Sequence, residues 1–137
     1  MEQTSAGFRE IEHTADWQLD VWAPDLPGLL EQAARGMYNL AGARLEDGPR
    51  RVRSFIVSGD DAETLLVHFL SELLYIEEQE GLGFNEFDLT LRGDRLVAHL
   101  SGARLAQWDK EIKAVTYHNL KIRNSSNGLN VSIVFDV

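Results

Sequence analysis

The 137-residue chain contains no cysteine. That absence excludes disulfides, thiolate nucleophiles and zinc sites built on Cys. Long apolar runs are missing as well, and none approaches the roughly 20 residues that a membrane span needs. The opening residues MEQTSAG are polar and lack the basic-then-apolar order of a signal peptide, so the chain reads as cytoplasmic, with no membrane partner. Positive charge is scarce: 13 Lys and Arg stand against 22 Asp and Glu, a formal net charge of −9. Affinity for nucleic acid rests largely on Lys and Arg neutralising phosphates, which argues against tight RNA binding by this chain alone. A cation or a basic protein partner fits better. No stretch has the composition of a linker, a repeat or a low-complexity tract. What remains, 44% hydrophobic and 26% charged residues, is ordinary globular composition, and the length fits one domain, residues 1–137.

Two apolar periods organise the chain. Residues 8–12 begin a strand, and WQLDVWA at 17–23 alternates Trp17, Leu19 and Val21 against Gln18, Asp20 and Trp22, as a half-buried strand does. The period then becomes helical. Asp25 can cap a helix whose stripe is Leu26, Leu29, Leu30, Ala33, Met37, Leu40 and Ala41, closed by Gly42. RRVRSFIVSG is a strand with solvated arginines. A second helix follows, with Asp60 and Glu63 as a capping box, Leu66, Phe69, Leu70, Leu73 and Ile76 on its apolar face, and a solvated acidic end at Glu77–Glu80. The remainder reads as strands. FDLTL and RLVAHL flank a Gly93-Asp94 turn, while KAVTYHNLKIR (113–123) and LNVSIVFDV (129–137) flank Asn127-Gly128. Strands interrupted by two helices imply an α+β fold, with the two helices packed on one face of a largely antiparallel β-sheet.

The last strand carries the first chemical hint. Leu129, Val131, Ile133, Phe135 and Val137 share one face; Asn130, Ser132, Val134 and Asp136 share the other. Asp136 therefore points away from the core, one residue from the carboxylate of Val137. Two negative groups that close repel unless a cation lies between them. Asp16 is the natural third donor if the strand it opens lies beside the last one. Oxygen donors of this kind suit Ca²⁺, Mg²⁺ or Mn²⁺ rather than zinc or copper. On the residues alone, a local turn at Asp16 and a hydrated Asp136 account for the same pattern.

Other schemes lack their essential parts. His13, His68, His99 and His118 show no HExxH spacing, and no GxSxG elbow supplies a serine nucleophile. GLGFNE at 81–86 has neither the lysine of a P-loop nor the third glycine of a dinucleotide fingerprint. Lys110, Lys113, His118, Lys121 and Arg123 make the C-terminal third locally basic, which reads either as a solvated strand face or as a contact strip for an acidic or phosphate-bearing partner.

Four blocks in register, IEHTAD (11–16), LLVHFLSELLYIEEQEGLGF (65–84), KAVTYHNLKI (113–122) and the terminal VFDV (134–137), together resemble the archease family. The resemblance implies an archease-like α+β sandwich and a role as a protein cofactor, without catalysis of its own. Such proteins activate the RtcB-type tRNA-splicing RNA ligase, promoting its GTP- and Mn²⁺-dependent guanylylation and its multiple turnover. Contact with tRNA is then indirect, through the ligase. Carried over residue by residue, the resemblance implies a divalent-cation site (calcium, magnesium or manganese) of Asp16, Asp136 and the terminal carboxylate of Val137. Beside that set, and not carried over from the family, His13, Lys113 and His118 are accessory candidates. Glu12 and Asn119 depart from the family, which often has Asp at both positions. The alternative is a chaperone or solubility partner of a tRNA-modifying methyltransferase.

Overall fold

A computed structural model describes residues 5–12 and 16–137. The chain begins with an antiparallel pair, β1 (Gly7–Glu12) and β2 (Asp16–Ala23), and then enters the first helix, α1 (Leu26–Ala41). Asp25 caps α1 as its sequence position implies: its side chain accepts from the Gly28 N–H at 2.8 Å. Gly42 ends the helix at φ 70°, a left-handed conformation that glycine adopts without strain. The short β3 (Arg44–Leu45) and the longer β4 (Arg51–Ser58) lead into α2 (Ala62–Glu80). The cap of α2 is Asp61, which accepts from the Thr64 N–H at 2.7 Å. The expected capping box of Asp60 with Glu63 does not form. Glu63 instead accepts from the backbone N–H of Ile122 at 2.8 Å, a partner 59 residues away.

Strands β5 (Leu82–Arg92) and β6 (Arg95–Gln107) form the expected hairpin about Gly93-Asp94, and GLGFNE runs from Gly81, the cap of α2, into β5. Of the long strand expected over 113–123, only β7 (Ala114–Val115) and β8 (Arg123–Ser125) form; between them the chain turns, with Asn119 at φ 51° and the Leu120 N–H donating to the Tyr117 carbonyl. The last strand, β9 (Gly128–Asp136), follows a tight turn at 126–127.

The class is α+β, as read from the sequence, but the strands divide between two antiparallel sheets rather than one. The first has the order β1-β2-β9-β7, with β8 also on β9; in the second, β6 pairs with β3, β4 and β5. Helix α1 packs chiefly on β1 and β2 and reaches β5, whereas α2 packs on β4, β5 and β7. The core between them is continuous: Leu19, Leu29, Leu30, Met37, Leu66, Phe69, Leu70, Leu73, Ile133 and Phe135 are all fully buried. These positions are the apolar stripes of both helices and the inward faces of β2 and β9. Backbones approach very closely at Gly102, where an added Cβ would lie 1.8 Å from the Gly83 carbonyl, so only glycine fits there. The outer strand β4 has two carbonyls covered by side chains: the Arg53 guanidinium donates to Val52 at 2.7 Å, and His68 Nδ1 lies 2.6 Å from that of Ser58.

Candidate carboxylate site at the paired strand ends

The antiparallel register of β2 and β9 decides what meets what. Leu19, Val21 and Ala23 lie opposite Ile133, Val131 and Leu129, and this apolar ladder fixes the pairing because a slip of one residue would turn it out to solvent. The same register sets Asp16 directly opposite Asp136 at the strand ends. Partners in such a pair carry their Cβ atoms about 5 Å apart on one face of the sheet. Asp136 is exposed and Asp16 half-buried. On the other side of β9, Ala114 pairs with Asp136, and the Lys113 N–H donates to the Asp136 carbonyl at 2.7 Å, which holds the strand end in place.

No ion pair links Asp16 or Asp136 to a cation among the described residues. Lys110 stands nearby in the fold, but its amine is placed 4.2 Å over the ring of Trp17. The structure therefore brings together two of the carboxylates singled out in the sequence, with Val137 next in the chain. Among the described residues no three His, Asp or Glu side chains gather as a metal-binding group; the third donor named above is a main-chain carboxylate and not a side chain. Two opposed carboxylates that no cation among the described residues pairs with suit a hard divalent ion in donor type.

The accessory candidates separate. Lys113 touches the site through its backbone. His118 lies in the turn beyond β7, not in a strand, and its hydrogen-bond neighbours are Thr116 and Asn119. The chain runs away from Asp136 in that direction, since Thr116 already pairs with Val134. His13 lies outside the described residues.

One outward carboxylate on these strands was missed by the sequence reading. Asp20 accepts from Arg9 at 3.2 Å, from Gln18 at 3.0 Å and from Ser132 at 2.7 Å. Partial burial pushes its pKa up, but the hydrogen bonds from Gln18, Ser132 and Arg9 outweigh that and leave it below the usual carboxylate range. The alternation of β2 places Asp20 outward; its partners on β1 and β9 depend on a register that no local pattern encodes.

The sequence profile of the archease protein family matches residues 8–137. The chain belongs to the archease family. Among its relatives, protein archease of Pyrococcus abyssi is 34% identical over 129 residues, covering 88% of this chain and 91% of that one. Protein archease of Methanopyrus kandleri is 30% identical, covering 95% and 99%. Two solved structures share the archease fold. One is the solution structure of Methanobacterium thermoautotrophicum protein 1598, with a TM-score of 0.71, 24% identity and coverage of 96% of this chain and 99% of that one. The other is the crystal structure of an archease from Thermotoga maritima, described as a possible chaperone, with a TM-score of 0.71, 23% identity and coverage of 94% and 96%. No helix of the described residues is long and apolar enough to cross a membrane.

Proposed function

We propose that the chain is a metal-binding protein cofactor that activates an RtcB-type tRNA-splicing RNA ligase, working from the paired ends of β2 and β9. The observation that carries this reading is the opposition of Asp16 and Asp136 with no ion-paired cation among the described residues. In this reading Asp16, Asp136 and the terminal carboxylate of Val137 hold a calcium, magnesium or manganese ion. When bound, that ion supplies positive charge at the phosphates of the nucleotide attached to the ligase. The chain's own residues have simpler tasks. The two aspartates fix where the charge sits, and the β2–β9 ladder keeps them rigid. The Lys113 N–H pins the backbone of Asp136. The net charge of −9 favours encounter with a metal-rich, phosphate-binding active site. The protein performs no catalysis itself and meets tRNA only through the ligase, in the cytoplasm.

The experiment is direct. The chain is mixed with an RtcB-type ligase, GTP and Mn²⁺, and guanylylation of the ligase is followed. Acceleration that disappears with Asp16→Ala or Asp136→Ala, in variants that keep the wild-type melting temperature, supports the reading. Normal activation by both variants removes it. An extension at the C-terminus should impair activation, whereas one at the N-terminus should not.

One observation favours the alternative, a chaperone or solubility partner of a tRNA-modifying methyltransferase. Val52 and Ile56 are 66% and 60% exposed on the outer face of β4, an apolar surface that a holding function would use. That role needs no metal, so activity insensitive to chelators would identify it.

A further inference from the structure

The end of α2 borders a groove that the carboxylate site does not use. Its volume is about 540 Å³, and it lies between the last turns of α2 and the segment running from Trp108 into β7. Leu74, Tyr75 and Trp108 supply apolar walls; Glu77 and Glu78 from the helix and Glu111 from the facing segment supply carboxylates. None of these three glutamates is ion-paired among the described residues, and the one cation lining the groove is Lys113. The expectation of a solvated acidic helix end therefore fails at Glu77, which is half-buried. Burial, together with the like charges of Glu78 and Glu111, holds its carboxyl above the usual range.

The aromatic groups are as unusual as the acids. Tyr75 is 58% exposed, one of four large apolar side chains so placed among the described residues. Trp108 meets the ring of Tyr38 edge-on, with centroids 6.1 Å apart. Tyr38 itself is only 9% exposed, and its hydroxyl, approached by the Phe84 backbone, lies within the field of Glu77.

Crowded carboxylates beside aromatic faces are poorly arranged for an empty groove and well arranged for a planar cation. A guanidinium pairs with a carboxylate through two parallel N–H donors and stacks on an aromatic ring, whereas an ammonium is a point charge that cannot do both. A bare metal ion would gain little from the aromatic faces of Tyr75 and Trp108, since hard cations seek oxygen ligands rather than rings. We propose that this groove is a docking site for an arginine-bearing segment of a partner protein, its guanidinium held by Glu77 and Glu111 against Tyr75 and Trp108. The proposal does not rest on the ion-site reading. The two surfaces are nonetheless continuous, because Ala114 lines the groove and pairs with Asp136.

The test uses the full chain, ¹⁵N-labelled, titrated with the blocked peptide Gly-Arg-Leu-Arg-Gly and with counterparts carrying Lys or Gln in place of both arginines. The arginine peptide should give saturable shifts centred on the Trp108 indole N–H and the Glu77 and Glu111 amides. The lysine peptide should bind several-fold more weakly and the glutamine peptide not at all. Paired Glu77→Gln and Glu111→Gln substitutions should weaken binding about tenfold, consistent with the loss of charge-assisted pairs, and leave the rest of the spectrum in place. In the complex the Glu77 carboxyl should titrate at lower pH than in the free chain, since a bound cation favours its ionised form. No saturable shift at millimolar peptide overturns the proposal. So do shifts centred on Asp16 and Asp136, equal affinity for the arginine and lysine peptides, or undiminished binding by the doubly substituted chain.

Discussion

The outer face of the β2–β9 pair carries negative charge in two places, and the chain treats them in opposite ways. In the middle, Asp20 is held by Arg9, Gln18 and Ser132, groups drawn from β1, β2 and β9. At the end, four residues earlier in β2, Asp16 faces Asp136, and no cation of the chain pairs with either among the described residues. The first carboxylate is part of the scaffold, because its charge is balanced by the fold itself. The second pair leaves a charge imbalance at a rigid, accessible edge. Where a chain binds one carboxylate to itself and leaves two others opposed, the unbalanced place is where an outside cation is expected.

The sharpest way to break that contrast is by exchange of roles. Asp136→Asn should abolish stimulation of ligase guanylylation, a loss well over tenfold, while the melting temperature measured in chelator stays the same or rises because a repulsion has gone. Asp20→Asn should do the reverse. If Asp20→Asn abolishes stimulation and Asp136→Asn does not, the assignment of the two places is wrong.

Ion addition provides the next largest effect. At a Mn²⁺ or Ca²⁺ concentration about a hundred times its dissociation constant, linkage stabilises the fold by about 2.7 kcal/mol. Urea unfolding should show that gain in the wild type and in Asp20→Asn, and none in Asp136→Asn. Without ion, Asp20→Ala should cost about 1–2 kcal/mol in the same measurement, the usual effect of leaving partly buried hydrogen-bonding groups without their acceptor.

Acid titration sharpens the contrast further. The folded pKa of Asp20 is depressed below its unfolded value, so its contribution is fully present above the unfolded value and is lost as pH falls through the folded one. The stability difference between wild type and Asp20→Asn should therefore be flat from about pH 5 to 7 and should shrink towards zero in the acid range below that. Growth of the difference on acidification would contradict the assignment. The smallest effect is expected for Arg9→Ala. The Arg9 side chain is 64% exposed, and an ion pair that open to water contributes less than about 1 kcal/mol, with screening by salt.

Much of this architecture follows from local pattern. The two-residue alternation of β9 places Asp136 outward and Phe135 inward, and the stripe of α2 buries Leu66, Phe69, Leu70, Leu73 and Ile76. Asp25 caps α1 because a short acceptor before a helical stripe needs only its own neighbours to act. What local pattern misses depends on distant partners. Glu63 has the right spacing for a capping box with Asp60, yet the Ile122 N–H claims it once the sheet closes. Residues 113–123 alternate like a strand, but the left-handed Asn119 and the tie from Ile122 to Glu63 pull the middle of that segment off the ladder. Division into two sheets is likewise decided by which strands meet, as is the half-burial of Glu77. Asp16 is the intermediate case. Its type and position are plain in the sequence, and its partner across the sheet becomes visible only through the register of β2 on β9.

The covering of β4 has its own consequence. Alternate residues of a strand turn their backbone groups to the same side, so Val52, Ser54, Ile56 and Ser58 offer their carbonyls along one edge. With the Val52 carbonyl taken by Arg53 and that of Ser58 by His68, the exposed stretch shrinks to its central two positions. An edge so shortened is a poor template for zipping on a neighbouring molecule, even with Val52 and Ile56 standing in solvent. Arg53 and His68 thus shield the free side of the second sheet, and replacing both with Ala is expected to raise its tendency to self-associate.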